Sequence, residues 1–134
     1  MNRDSVLQYL LNYLSKFSYH SKFLGELIDI IAGSGYEGAF FNLLVVRLGQ
    51  LSKLGISAVE LKEFENIGRG LYSMHFFKKN FNIRFLFAFM PNGQPVFLIP
   101  FFERSGKRMT DYTPYIEPAL SRLAEMREDY ENGF

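Results

Sequence analysis

The sequence predicts an α+β domain: N-terminal helices, then a small antiparallel sheet (a meander of at least three strands), then a C-terminal helix. Three observations favour this class. Apolar residues recur at three- and four-residue steps before residue 55, the period becomes that of strands after Gly70, and helical spacing returns after Ile116. The chain has 134 residues, of which 48% are hydrophobic, and this suits a single domain over 1–134 with one core.

Three helices are predicted in the first half of the chain. They cover about 5–17, 22–32 and 37–54, and in each the apolar residues lie on one stripe that we assign to the core. The second and third helices stop at Gly33 and Gly55. Glycine tolerates the left-handed conformation that commonly ends a helix, so both stops are expected.

Three strands and a last helix are predicted after Gly70. The strands cover 71–77, 83–90 and 96–102, and the last two are almost wholly apolar, as expected of central strands covered on both faces. Asn92-Gly93 predicts a two-residue type I′ turn between them. A helix over 116–130 follows, with Pro118 in its first turn, where its missing donor is not needed.

The turn lengths predict which residues face each other across the sheet. A two-residue turn at Lys79 and Asn80, or a four-residue loop over 78–81, sets His75 opposite Arg84. The turn at Asn92-Gly93 sets Arg84 opposite Phe101. We therefore expect His75, Arg84 and Phe101 to form a row on one sheet face, and we expect that face to be partly open.

The net charge of +1 hides an uneven distribution. Positions 69–108 carry seven basic residues and one acidic residue, whereas the segments on either side are near neutral or acidic. A local excess of positive charge suggests a site for a polyanion, and a solvated basic loop without a partner is the alternative.

Several classes of site and location are excluded or disfavoured. With no cysteine the chain forms no disulfide or thiolate zinc site, and with two histidines and no phosphate-binding glycine motif we expect neither a metal nor a cofactor. The richest apolar run, 40–48, is interrupted by Asn42 and Arg47, and no signal-peptide pattern precedes it. We therefore expect a cytoplasmic protein that does not engage a membrane.

The residues around the row suit RNA. Lysine and arginine neutralise phosphates, aromatic rings stack on unpaired bases, and the 2′-OH of RNA can itself attack the neighbouring phosphate. A protein then needs only to move protons and stabilise the phosphate charge, which histidine, arginine, tyrosine or lysine can do without a metal. The RNA-binding candidates are Lys78, Lys79, Arg104, Lys107 and Arg108.

Each candidate also has a plainer structural interpretation. His75 would be a half-buried strand histidine bonded to a neighbour, and the lysines at 78 and 79 would mark a polar turn. Arg84 lies in an apolar strand and needs an anion or a carboxylate, for which Glu103 is a candidate. The carboxylates at 60–65 and 125–131 are assigned to solvated surfaces.

Residues 54–123 resemble a known family. The order of a helix, "LKEFENIGRGLYSMHF", "IRFLFAF", "PVFLIPFFERSGKR" and the helix "IEPALSRLAEM" is similar to the RelE/ParE toxin superfamily, in particular its HigB or phage Gp49-like branch. The resemblance implies a RelE-like core over 36–130 with a helical extension over 1–35. Many members enter the 30S A site of the ribosome and cut mRNA, and a cognate antitoxin restrains them.

The resemblance also implies roles for residues of this chain. Arg84 matches the strand arginine that stabilises the phosphate, and His75 matches a basic position near the scissile phosphate. The tyrosine or histidine near the C-terminus of the family corresponds to Tyr112 or Tyr115. The chain departs from the branch at 100–104, where Pro-Phe-Phe-Glu-Arg stands in place of a histidine, glycine, phenylalanine and basic pair. Lys107 and Arg108 are candidates to replace that pair.

The sequence thus leads to two functional hypotheses. The first is the toxin of a type II toxin–antitoxin pair, a metal-independent, ribosome-dependent mRNA endoribonuclease that inhibits translation. The catalytic candidates are Arg84, His75, Tyr112 and Tyr115. The second is a non-catalytic binding module of the same fold, such as a phage accessory protein or an inhibitor of a protein target such as gyrase.

Overall fold

The computed structural model describes residues 1–103 and 110–132, and within them it confirms an α+β fold. The predictions made for Arg104, Lys107 and Arg108 lie outside the described residues. The helices are α1 (Arg3–Tyr13), α2 (Phe23–Ile31), α3 (Glu37–Leu54), which continues into a 3-10 helix (Gly55–Glu60), and α4 (Thr113–Glu131). The strands are β1 (Ser18–Tyr19), β2 (Phe64–Gly68), β3 (Leu71–Lys78), β4 (Phe81–Phe89) and β5 (Pro95–Phe102).

The strands form one sheet in the order β1-β5-β4-β3-β2. The meander β3-β4-β5 at its centre is antiparallel, as predicted. The two edge strands were not predicted: β2 pairs antiparallel with β3, and the two-residue β1 pairs parallel with β5. Neither edge strand has a run of apolar residues long enough to signal a strand.

Helices cover both faces of the sheet, which explains why β4 and β5 are so apolar. Helices α1, α2 and α3 pack on one face around an aromatic cluster, in which the Phe23 and Phe85 rings meet edge to face with centroids 4.8 Å apart. Helix α4 packs on the other face through Ala119 and Leu123. The face under α4 carries the predicted row.

Residues 1–35, predicted as a helical extension, share the core of the sheet. Helices α1 and α2 contribute fully buried residues to the same cluster as β3, β4 and β5, and β1 extends the sheet itself. The N-terminus is also fixed, because the Met1 amine lies 3.2 Å from the carboxylate of Glu37.

Two helix boundaries differ from the sequence prediction. Helix α1 ends at Tyr13 rather than at 17, since the chain turns there to reach β1. Helix α4 begins at Thr113 rather than at 116, with Pro114 in its first turn, so Pro118 lies inside the helix and not in the first turn as predicted. A proline in the second turn leaves one helical carbonyl without its donor.

The turn predicted at Asn92-Gly93 is wrong, yet the predicted row is preserved. The Met90 N–H donates to the Gln94 carbonyl at 2.8 Å, so three residues form the loop, and of the pair only Gly93 has a positive φ, of 85°. The extra loop residue shifts the register by one. A β-bulge shifts it back, because Leu86 pairs with Ile99 while the next residue of β4 pairs with Phe97.

The segment Glu37–Glu60 is long and apolar enough to cross a membrane by length and composition alone, a weak indication that core helices also give. In this fold α3 packs its apolar stripe, which includes Phe40, Leu44 and Leu51, into the core.

Candidate functional site

The predicted cross-strand row is confirmed. His75 pairs with Arg84 through the two-residue turn at Lys79 and Asn80, and Arg84 pairs with Phe101. The row is partly open, as expected, since 20% of the His75 side chain and 14% of the Arg84 side chain remain exposed. It borders a pocket of about 450 Å³ lined by Glu65, Asn66, Ile67, His75, Arg84, Thr110 and Tyr112.

One nitrogen of Arg84 links the site together. Its Nη1 lies 2.6 Å from Nε2 of His75 and donates to Oη of Tyr112 at 2.8 Å. A guanidinium only donates hydrogen bonds, so Nε2 of His75 is the acceptor and the ring proton resides on Nδ1. Each of the two Nη1 protons therefore has its own acceptor.

The imidazole of His75 is neutral over most of the pH range. Burial, followed by the charges of Arg84 and Arg47, lowers its pKa from 6.5 to about 4. At neutral pH the ring therefore keeps a lone pair that faces the pocket. In the free protein this lone pair accepts a hydrogen bond from Nη1 of Arg84.

Tyr112 and Glu65 complete the site. The Tyr112 hydroxyl donates to Oε1 of Glu65 at 2.8 Å, and the same oxygen lies 3.7 Å from Nε2 of His75 and 4.0 Å from Nη1 of Arg84. Burial is the largest influence and raises the pKa of Tyr112, and Glu65 acts in the same direction against the lowering by Ser73 and by the charge of Arg84. The phenol therefore keeps its proton at neutral pH.

The ring of Tyr112 is positioned by the start of α4. The Tyr115 N–H donates to the Tyr112 carbonyl at 2.9 Å, and the Tyr112 ring meets Phe101 edge to face with centroids 6.1 Å apart. The guanidinium carbon of Arg84 lies 5.9 Å from the centre of the same ring. Phe101, the third residue of the predicted row, thus packs against Tyr112, which lies outside the sheet.

Glu65 is a site residue that the sequence interpretation missed. Its side chain is half exposed, in agreement with the solvated surface expected for it, and it lies on β2 opposite Ser73 with its carboxylate bonded to Tyr112 at the site. The carboxylate within 4.0 Å of Arg84 is that of Glu65, and not that of Glu103 as the sequence suggested. The signal that could have revealed β2 is the Gly68-Arg69-Gly70 turn, in which all three residues have positive φ.

Other predicted residues lie away from this group. The Tyr115 ring stacks on Phe101 with centroids 4.0 Å apart and packs with the apolar cluster under α4, and it does not line the pocket. Lys78 and Lys79 are exposed at the hairpin end. Strand alternation places Lys78 on the face opposite His75, so it does not share the row.

The described residues contain no group of three or more histidine, aspartate or glutamate side chains that could hold a metal ion. The other histidine, His20, is buried. Its Nε2 lies 2.9 Å from the carboxylate of Glu125, and its Nδ1 accepts a hydrogen bond from the Lys22 N–H. Its contact with Glu125 links the end of β1 to α4, and His20 does not line the pocket.

The site combines four groups with different chemistry. Arg84 is a fixed cation, His75 a neutral acceptor, Tyr112 a protonated phenol and Glu65 a carboxylate on the open side. Such a set can bind an anion, accept a proton and donate one. No family model matches the chain, and neither a curated protein nor a solved structure matches it.

Proposed function

We propose that the chain is a metal-independent endoribonuclease that cuts mRNA on the ribosome and inhibits translation, as the toxin of a type II pair restrained by a cognate antitoxin. The observation that carries the proposal is the Arg84 guanidinium within hydrogen-bond distance of both the neutral His75 and the phenol of Tyr112. The resemblance of residues 54–123 to the RelE/ParE superfamily supports the ribosomal target.

The chemistry begins when an RNA phosphate binds Arg84. The phosphate oxygens take the Nη1 protons that His75 and Tyr112 accept in the free protein, so the lone pair of His75 is released. The phosphate also offsets the Arg84 charge that lowers the pKa of His75, and the ring becomes a better base. Binding of the substrate thus prepares the proton acceptor.

His75 then accepts the proton of the ribose 2′-OH, and the 2′ oxygen forms a bond to phosphorus. Arg84 stabilises the charge that grows on the phosphate oxygens. As the bond from phosphorus to the 5′ oxygen breaks, Tyr112 gives its hydroxyl proton to that oxygen. In the free protein the same hydroxyl donates to Glu65, so the 5′ oxygen replaces Glu65 as the acceptor. The products are a 2′,3′-cyclic phosphate and a 5′-hydroxyl end.

The charge distribution supports a nucleic-acid substrate. Arg84 lies in the segment 69–108, which has seven basic residues and one acidic residue, and the exposed Lys78 and Lys79 stand at the end of the same hairpin. Exposed cations near the site can neutralise phosphates of a bound strand.

Induced expression in a bacterium tests this proposal. The wild-type chain should stop protein synthesis, and Arg84→Gln should relieve the arrest while the protein still folds. The matched control is Arg3→Gln, which removes an exposed arginine that pairs with Asp29 outside the basic segment, and it should remain toxic.

Two results would contradict the proposal. Unchanged protein synthesis in the presence of abundant folded protein would refute any translational toxin. Growth arrest that persists in Arg84→Gln, with cellular mRNA intact, would favour the non-catalytic binding module.

A further inference from the structure

A buried arginine lies behind the site, on the sheet face opposite the pocket. Arg47 belongs to α3, and only 9% of it is exposed. A guanidinium stays charged in proteins, so its burial is costly unless its donors find partners. Its partners therefore indicate what it does.

The principal partner of Arg47 is the backbone of His75. Arg47 Nε donates to the His75 carbonyl at 2.9 Å, and its Nη1 donates to Oε1 of Gln50 at 3.4 Å. The His75 N–H donates to the carbonyl of Glu63 at 2.9 Å, one residue before β2 begins. If the antiparallel ladder continued, the N–H of Glu63 would donate to the His75 carbonyl. Here the donor to that carbonyl is Nε of Arg47.

We propose that Arg47 is a positioning residue of the site, which holds the backbone of His75 so that its imidazole stays on Arg84. The proposal concerns His75 as the proton acceptor and so rests on the proposed function. Arg47 itself does not line the pocket.

Electrostatics agrees with the geometry. Among the described residues, the charged or titratable groups around His75 are Arg84 from β4, Glu65 from β2, Tyr112 before α4 and Arg47 from α3. Burial lowers the pKa of Arg47, and the nearby carboxylate of Glu63 opposes this effect. The charge of Arg47 contributes to the lowered pKa of His75, after burial and Arg84. The ring is thus kept neutral first by its burial and then by guanidinium groups on both sides of the sheet.

A purely structural arginine would behave differently on substitution. A whole buried ion pair can often be exchanged for apolar residues of similar volume with little loss of stability, whereas loss of one partner destabilises the fold. Arg47→Met keeps the aliphatic volume and removes both the donor and the charge, so a purely structural role would change stability and leave the His75 midpoint where it is. Arg47→Lys keeps the charge.

The experiment follows the His75 imidazole by NMR as a function of pH. In the wild type its midpoint should lie at about 4. In Arg47→Met we expect it to rise by roughly half a pH unit to one unit, since one like charge is removed. RNA cleavage should lose roughly 10- to 100-fold in kcat with a smaller change in KM, because the base is misplaced while the phosphate site is kept.

The control is Arg3→Met, which removes an exposed arginine paired with Asp29 and should move neither the midpoint nor kcat. Arg47→Lys should keep most of the wild-type midpoint. If Arg47→Met folds and both its His75 midpoint and its kcat equal those of the wild type, the inference is overturned.

A measurement on the unaltered chain covers the case in which Arg47→Met does not fold. The Nε–H of Arg47 should exchange slowly with solvent and show a through-space contact to His75, and rapid exchange would overturn the inference. A wild type that cuts no RNA while Arg47→Met still moves the His75 midpoint would refute the proposed function and support the positioning of His75.

Discussion

The neutral imidazole of His75 makes the stability of the fold depend on pH. His75→Gln removes the titrating group but keeps an acceptor for Nη1 of Arg84. In the wild type the unfolded chain binds a proton near pH 6.5, whereas the folded chain does so only near pH 4. The free energy of unfolding therefore falls as the pH is lowered from about 6.5 to about 4, and the full contribution is present at pH 7.

The size of the effect follows from the difference between these two pKa values. Each unit corresponds to about 1.4 kcal/mol, so a shift from 6.5 to about 4 sets an upper value of about 3.5 kcal/mol. One fifth of the side chain is exposed, and solvent screening reduces this to about 2 kcal/mol. The contribution should be absent from His75→Gln.

Urea unfolding of both proteins between pH 4 and pH 7.5 measures this difference. The carboxylates titrate in both chains and cancel when one curve is subtracted from the other. We expect the wild type to lose about 2 kcal/mol relative to His75→Gln between pH 7 and pH 4. Two parallel curves would refute the assignment of a buried neutral imidazole.

Three further predictions concern the phenol, the packing of α4 and the charge. Tyr112→Phe keeps the ring on Phe101 but removes the hydroxyl, so cleavage should fall roughly 100-fold or more with an unchanged melting temperature; retained activity would exclude the phenol as proton donor. Arg122→Met breaks a two-oxygen contact with Glu26 and a hydrogen bond to the Leu98 carbonyl, so chemical denaturation should show a loss of about 1–2 kcal/mol, and no loss would mean that the pair is solvated. RNA affinity should fall with salt at a log–log slope of about 0.7 per phosphate contact, and a flat dependence would contradict a basic RNA-binding surface.

The centre of the site could be predicted from the sequence because strand alternation is strictly periodic. A two-residue turn at Lys79 and Asn80 is enough to set His75 against Arg84. The pairing of Arg84 with Phe101 was also predicted correctly, although the predicted turn is wrong. The loop at Gly93 is one residue longer than predicted, and the bulge in β5 restores the register. In an almost wholly apolar strand no polar residue marks where a bulge lies.

The rest of the site depends on long-range packing that leaves no local pattern. Glu65 lies on an edge strand whose residues alternate poorly, so its approach to Arg84 is visible only once β2 is paired. Arg47 lies in a helix whose apolar stripe predicts a core element, and nothing in that spacing indicates a contact with His75, 28 residues later. Both residues were therefore found only in the folded chain.

Cleavage of a defined mRNA on purified ribosomes tests the central claim most directly. We predict that the wild type cuts the RNA to a 2′,3′-cyclic phosphate and a 5′-hydroxyl end, and that a 2′-deoxy substitution at the scissile nucleotide abolishes the cut. Arg84→Gln should cut at least roughly 100-fold more slowly, because the phosphate loses its fixed cation. An intact mRNA after incubation with the folded wild type, or equal cleavage by Arg84→Gln, would contradict the account.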